Sequence, residues 1–424
     1  MKKKRKFCLF FACLTLGISS LMVFNFSLLA QDFDYHRKES PAITWNGTPI
    51  FDARMLAAGG VSYFTSRPFA AAVNPALLPG GGKFNLGVSG NYMSHSAFQY
   101  WGINEGVLYE PAPITAQTAQ LSGAAFSFPL KNLRLSAGWY LPVLPALPSF
   151  NIDERYWAYR GDFSGREDTF FAAAAFKLGA KLDIGVKVDY VSGKRDVVVG
   201  EYYKYYMDDG YGVDSYLLIQ RRENHSLSYL VSTIGAAYEF SPSFTLAAAL
   251  AYPFKGKARR TLTQLFDNFY DPPITYTSES EDTLYRPAKL YLTAVYIRSD
   301  RDDELDWERR TTLVIEPIYV FWSGYRYVYF AEEMPRDMRN CLILAAGWEY
   351  GVYRPRTDFF FRAGYRYDPQ PLRTPAVVLH TFSIGGGLRM GRVTTDFGFA
   401  FYISPAAAEP LHHFALTGTL GLDL

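Results

Sequence analysis

From about residue 83 to its last residue, the chain alternates apolar and polar side chains with period two, segment after segment. In 181–190, Leu182, Ile184, Val186, Val188 and Tyr190 take one parity, and Asp183, Gly185, Lys187 and Asp189 take the other. Successive side chains of a β-strand point to opposite faces, so such a segment is a strand with one greasy and one charged face. Residues 132–141 set Leu133, Leu135, Ala137, Trp139 and Leu141 against Arg134, Ser136, Gly138 and Tyr140. Residues 358–367 set Phe359, Phe361, Ala363 and Tyr365 against Arg362, Gly364 and Arg366. Fourteen such segments lie near 83–94, 118–129, 132–141, 169–179, 181–193, 226–240, 243–254, 286–298, 310–322, 340–351, 358–367, 379–390, 392–403 and 412–424. Most have 10 to 14 residues. Globular strands usually have ~5–6, whereas a tilted membrane strand needs about 9–11.

The links alternate too. Short ones follow even-numbered segments, at 130–131, Ala180, 241–242, 353–357 and Gly391; long ones follow odd-numbered segments, as at 142–168, 194–225 and 255–285. The eighth link, 299–309, is longer than its class but strongly charged, as a solvated turn would be. Short turns on one rim and long loops on the other predict a 14-stranded antiparallel transmembrane β-barrel over residues 83–424. Lipid offers no water to a free strand edge, so the barrel must close. Composition agrees. Aromatic residues make up 17%, with 32 Tyr and 33 Phe. Mean hydropathy of −0.07 excludes a multi-helix membrane protein, which needs repeated apolar runs. A soluble sandwich or propeller would have shorter strands and no alternation of loop length. The last strand ends in Leu424, where barrel assembly signals usually carry an aromatic; the apolar terminus is kept.

Residues 2–6 are basic, an apolar run follows to Ala30, and Gln31 and Asp32 come next. This order predicts a secretory signal over 1–30, cleaved near Ala30, and export together with the barrel plan places the chain in the bacterial outer membrane. An uncleaved anchor is the competing reading. Cys13 suggests a lipoprotein, but about 16 apolar residues would remain behind the lipid-bearing cysteine. Five of the 43 basic residues lie in the signal, which leaves 38 against 41 acidic and no basic patch for nucleic acid. Cys341 is then the single cysteine, so no intramolecular disulfide forms.

Residues 31–82 precede the first strand and do not alternate. Gly59, Gly60 and the stretches 57–60 and 70–73 are small, and Asn74-Pro75 and 79–82 are turn signals. Small residues suit short helices in a confined space, so the segment is expected in the lumen as a plug. Gly59-Gly60, then 70–72, then Asn74-Pro75-Ala76-Leu77 ahead of strand one resembles the N-terminal hatch of the FadL-type channels. Those proteins carry long-chain fatty acids and other hydrophobic compounds across bacterial outer membranes. The resemblance implies a 14-stranded barrel with the hatch inside it, and passive uptake of a hydrophobic small molecule. Uncharacterised spirochaetal proteins belong to the same family. The partners expected are such compounds, outer-membrane lipid and the barrel assembly machinery.

The inward faces are mixed. Thr394, Asp396, Arg389, Arg362, Arg366 and Glu316 are polar; Ala247, Ala249, Ala251, Ala173, Ala175, Ile343 and Ala345 are not. Apolar patches in a plugged lumen suit a greasy ligand, and small inward residues equally make room for the plug. Two other functions compete: a structural or adhesin-like surface barrel using Tyr-rich loops such as 202–206 and 325–329, and a small-solute porin.

No chemistry emerges. His36, His95, His225, His380, His412 and His413 form no arrangement with a serine. The acids at 208–209 and 302–304 lack a calcium-loop spacing. A non-enzyme without metal or cofactor is expected. The uncharged stretch 141–150 carries Leu141, Val143, Leu144, Leu147 and Phe150 between prolines, and reads either as a capture surface for a hydrophobic substrate or as a cap folded into the barrel. Pro317 interrupts the ninth strand, so a break or bulge is expected there. Glu316 beside it points inward by parity, able to satisfy donors freed by the break. The resembled family is thought to release substrate sideways at a kinked strand, though on an earlier one.

Overall fold

The computed structural model describes residues 51–65, 67–78, 84–99, 112–141, 150–153, 157–206, 213–268, 271–302, 307–324, 328–329, 332–333, 339–369, 371, 378–404 and 411–424. The expected signal, the start of the hatch, and Val143, Leu144 and Leu147 lie outside the described residues. The wall is a closed ring of fourteen antiparallel strands. These are β1 (Asn85–Gln99), β2 (Ala112–Leu130), β3 (Leu133–Tyr140), β4 (Trp157–Leu178), β5 (Leu182–Tyr206), β6 (Val213–Ser241) and β7 (Phe244–Pro253). The ring continues with β8 (Lys289–Asp302), β9 (Trp307–Val320), β10 (Cys341–Tyr353), β11 (Thr357–Pro369), β12 (Val378–Met390), β13 (Val393–Ser404) and β14 (Leu411–Asp423). Closure is antiparallel between β1 and β14, from Asn85↔Asp423 to Ser96↔His412. The backbone N–H of Leu424 donates to Phe84 O at 2.8 Å, so the seam is paired to the last residue.

Parity separates the two faces. Val186, Ile234, Ile315, Phe361, Ile384 and Phe397 point outward and are exposed. Asp189, Glu316, Arg362, Arg366 and Asp396 point inward and are buried. An outer surface this apolar is a lipid-facing belt. Aromatics crowd its short-turn edge, where Tyr238, Phe240 and Phe244 meet in sequence at centroid distances of 4.7 and 5.8 Å. Tyr252 and Phe254, 5.9 Å apart, stand at the other end of β7. Aromatic girdles at both interfaces are the pattern of such barrels.

The structure corrects two expectations about the links. The stretches read as long loops are largely strand. β4, β5 and β6 have 22, 25 and 29 residues, far beyond the ~9–11 that cross a membrane. Strand Gly256–Asn268 continues β7 alongside the upper part of β6, from Ser228↔Lys257 to Ile219↔Phe266. It turns back into Asp271–Leu284, which leads to β8. Strand Gly256–Asn268 does alternate, with Ala258, Arg260 and Leu262 buried between exposed Lys257 and Arg259, but its buried face mixes charge with apolar groups, so apolar parity does not mark it. The eighth link is also shorter than read: β8 and β9 pair as far as Asp302↔Trp307, because charged residues pair their backbones as well as apolar ones do.

Val186 is half-exposed on the lipid face, flanked across the ladder by Ala174 and Ile234. Val186→Arg should therefore lower barrel stability by ~2–4 kcal/mol if it sits near the bilayer midplane, with Val186→Leu close to neutral. Urea unfolding in lipid vesicles, followed by heat-modifiable gel mobility, measures this. An arginine variant as stable as the parent would contradict the assigned facing.

Candidate functional site

Two turns within residues 51–78 carry a side-chain cap. Asp52 accepts hydrogen bonds from the N–H groups of Arg54 and Met55 at 3.0 and 3.1 Å and starts the short helix α1 (Ala53–Ala57). Gly59 and Gly60 end it with φ of +75° and +78°, a region open to glycine. Three 3₁₀ turns follow, at Ser62–Phe64, Arg67–Ala72 and Pro75–Leu77. Asn74 caps the last, its Oδ1 accepting from Ala76 N–H at 3.0 Å, with Pro75 in the position where a missing N–H costs nothing.

This segment presses its backbone against inward-facing glycines of the wall. A Cβ at Gly235 would stand 2.1 Å from Asn74 Oδ1, and one at Gly185 2.6 Å from the Pro75 carbonyl carbon. Opposite them, a Cβ at Gly364 would stand 2.1 Å from Gly59 N, and one at Gly398 2.4 Å from Ala53 O. Gly185 therefore faces inward by parity but is not open space. The Asn74-Pro75-Ala76 turn occupies it.

Polar side chains of the wall hold the segment's backbone. Ser122 Oγ donates to Phe51 O at 2.9 Å, Ser136 Oγ to Pro68 O at 3.0 Å, and Lys187 Nζ to Ala72 O at 2.5 Å. Ser383 Oγ and Thr419 Oγ1 accept from Gly59 and Ala53 N–H at 2.8 and 2.9 Å. Arg134 donates to Leu78 O, and Asn74 Nδ2 reaches Ala248 O at 3.5 Å. Toward the short-turn rim a buried ionic cluster forms. Arg362 bridges Glu349 through Nε and Asp396 through Nη1, each at 2.7 Å, and Arg54 of α1 reaches the same Glu349 at 3.1 Å. Removing one partner from a buried ion pair costs about 3–5 kcal/mol, so this cluster holds α1 in one place.

On the long-loop side an aromatic cluster joins the lining, with the buried Lys187–Asp189 and Arg366–Asp368 pairs also on the wall. Phe51 stacks on Tyr140 at 4.4 Å and lies 5.4 Å from Phe69; Tyr140 lies 6.0 Å from Phe171. Ile318, Ile343, Cys341 and Trp322 belong to the same buried cluster. Sequence reading did not single out Phe51, Phe69, Tyr140 or Phe171. Parity alone marks Tyr140 as inward opposite Trp139, and Phe171 as inward beside Phe170.

The remaining expected site residues fall as follows. Leu141 is 2% exposed and its N–H donates to Ser122 O, so it is a core residue and not part of an exposed capture surface. Phe150 opens the short strand Phe150–Asp153, paired to the outward extension of β4. Ala76 is buried and Leu77 packs beside it against Ala237 and Ala247. Pro317 keeps register with Leu344 of β10. On its other side the β8–β9 ladder has no pairs between Tyr291↔Ile318 and Ala294↔Ile315. The ladder is interrupted there without a register shift. Glu316 is fully buried beside this gap and accepts from Ser62 N–H at 3.1 Å, from the Ser62 hydroxyl and from Thr293 Oγ1 at 2.8 Å. It thus binds residues 62–64 to the wall, where sequence reading had it satisfying strand donors. Among the described residues no three His, Cys, Asp or Glu side chains gather as a metal site.

No protein-family model and no curated protein sequence matches the chain. Solved structures of the same fold do. The CymD monoaromatic hydrocarbon channel superposes with a TM-score of 0.60 at 13% identity, covering 89% of this chain and 98% of that one. A Pseudomonas aeruginosa FadL homologue gives 0.59 at 15%, covering 90% and 99%. The Ralstonia pickettii toluene transporter TbuX gives 0.56 at 15%, covering 89% and 98%. The fold is that of FadL-type channels.

If the glycine contacts seat residues 51–78, Gly235→Val should displace the Asn74 turn while the barrel still folds. Limited proteolysis of the outer-membrane protein should then cut within 51–78 at least several-fold faster, with heat-modifiable mobility unchanged. An unchanged cleavage rate would show that this contact does not hold the segment.

Proposed function

We propose that the chain is an outer-membrane channel of the FadL type for passive uptake of hydrophobic compounds, long-chain fatty acids among them, with residues 31–82 as its hatch. The observation that carries this reading is the aromatic cluster of Phe51, Phe69, Tyr140 and Phe171, built jointly by the segment and the wall on the long-loop side. A greasy solute gains about 25 cal/mol for each Å² of apolar surface it removes from water, so it partitions into such a cluster without energy input. The solved proteins of the same fold are named as channels or transporters for monoaromatic hydrocarbons or toluene, which supports a channel and not an enzyme. A diffusion porin has a wet lumen in a barrel of 16–18 strands, whereas Arg362, Ile318 and Tyr402 here are at most 1% exposed.

For exit, the ionic cluster on the short-turn side is a poor path for an apolar solute. The ladder gap beside Pro317 offers a sideways one into the bilayer. Pro317→Val should restore pairing there and lower uptake of a hydrophobic probe without lowering stability; unchanged uptake with the gap closed would rule this exit out. A surface-interaction role is the second reading, favoured by the projecting extensions of β4, β5 and β6. Native mass spectrometry of the purified protein separates the two, since a channel for hydrophobic compounds should carry co-purified lipid or added fatty acid.

Deleting residues 31–82 tests the hatch. The truncated barrel should insert and conduct ions in planar bilayers, because the segment and not the wall closes the lumen. A truncated barrel that inserts and stays closed would refute the assignment.

A further inference from the structure

At the short-turn rim the outward face of the wall carries arginines without acids to match them. Trp307, Arg309 and Ile315 share the outward parity of β9, and Arg309 is exposed. Its partner on β10 is Val352, so Arg354, in the turn between β10 and β11, is its diagonal neighbour, about 7–8 Å away. Arg356 in the same turn and Arg392 in the turn between β12 and β13 are exposed as well. None of these four guanidinium groups pairs with a carboxylate among the described residues. Asp358 is taken by Arg389 at 2.5 Å and by the backbone N–H of Arg354 at 3.2 Å. Asp300 of β8 stands opposite Arg309 in the ladder and forms no ion pair with it; the acids at 303–306 lie outside the described residues.

Arg354 is the arginine with a fixed orientation. Its guanidinium lies over the Trp307 ring at 3.9 Å from the centroid and over the Phe359 ring at 5.5 Å. Phe359, 45% exposed, has the outward parity of Phe361 and belongs to the lipid-facing belt. Stacking engages the flat face of the guanidinium and leaves the N–H groups on its edge free for an acceptor. Aromatic side chains of a barrel's girdles stand at head-group level, so these donors stand there too. The acceptor that head groups offer is phosphate, whose oxygens match an arginine fork bidentately.

We infer that Arg354, with Trp307 as its platform and Arg309 beside it, forms a site on the outside of the barrel for the phosphate of an anionic phospholipid in the leaflet at the short-turn rim. Continuity with the belt favours a lipid over a soluble anion, because Val352 and Phe359 on the same face meet the acyl chains of the molecule whose phosphate the arginines hold. The site lies outside the lumen and is independent of what the lumen carries.

The test titrates the full chain in detergent micelles with phosphatidylglycerol or phosphatidylcholine of the same acyl chains, and reads bound lipid by native mass spectrometry. Both lipids carry the phosphate, but choline's own cation offsets its charge in the second. The parent should hold phosphatidylglycerol severalfold more tightly. Arg354→Gln and Arg309→Gln should each weaken its binding about fivefold, the size of one arginine at a membrane surface, and leave phosphatidylcholine within about twofold. Trp307→Leu keeps every charge and should weaken it about threefold by removing the platform. Lys181→Gln, at an exposed cation in the turn between β4 and β5, should change nothing. Heat-modifiable mobility checks that each variant folds. Equal binding of the two lipids by the parent, or a loss with Lys181→Gln as large as with Arg354→Gln, overturns the site in favour of diffuse rim charge. Displacement of the lipid by excess inorganic phosphate overturns the lipid as its occupant.

Discussion

Hydrocarbon supplies no hydrogen-bond partner, and everything in this molecule follows from that. A strand edge in lipid leaves each backbone group unpaired at a cost of several kcal/mol, so the sheet has to meet itself, as β1 and β14 do. Closing fourteen strands sets a diameter larger than wall side chains can fill, since about eight strands make the ring whose interior side chains just occupy. Residues 51–78 pack against the wall's inward face, and the wall receives them at glycines, where missing side chains let backbone meet backbone.

Filling a lumen with peptide creates a second problem, because the filler's own N–H and C=O groups leave water. The wall answers with serine, threonine, lysine and arginine at inward parity. Ser122, Ser136 and Lys187 donate to segment carbonyls, while Ser383 and Thr419 accept segment N–H groups. Buried ion pairs contribute little net stability, but the arrangement of Arg54, Glu349, Arg362 and Asp396 admits one placement of α1 and penalises others. Toward the short turns the interior holds the Arg54–Glu349–Arg362–Asp396 cluster; toward the long-loop rim it holds the aromatic cluster, with the buried Lys187–Asp189 and Arg366–Asp368 pairs on the wall as well. For the channel proposed, the aromatic cluster takes a greasy solute from outside and the charged cluster below discourages it from passing straight through.

The sequence by itself determined the ring. Parity is strict where one face meets lipid and the other meets protein, so the number of wall strands, their order, and which side of Val186 or Arg362 faces in were all legible. The small residues at 57–60 and 70–73 and the Asn74-Pro75 turn were legible as a segment suited to confinement. Past the membrane the same reasoning failed. The extensions of β4 to β6 mix charged and apolar residues at both parities, although Val197 to Val199 and the Asp209-Gly210 pair were strand and hairpin signals. Leu141 opened a stretch that read either as an exposed capture surface or as a cap folded into the barrel, and it is core, since polarity does not say where a chain goes after its strand ends. Only the tertiary structure decided which inward residues meet. Gly185 and Gly235 share Asn74's turn, Glu316 binds Ser62 254 residues away, and Tyr140 meets Phe51 and Phe171. Those contacts depend on the register of strands far apart in sequence and on the path of the segment between them, and no local pattern encodes either.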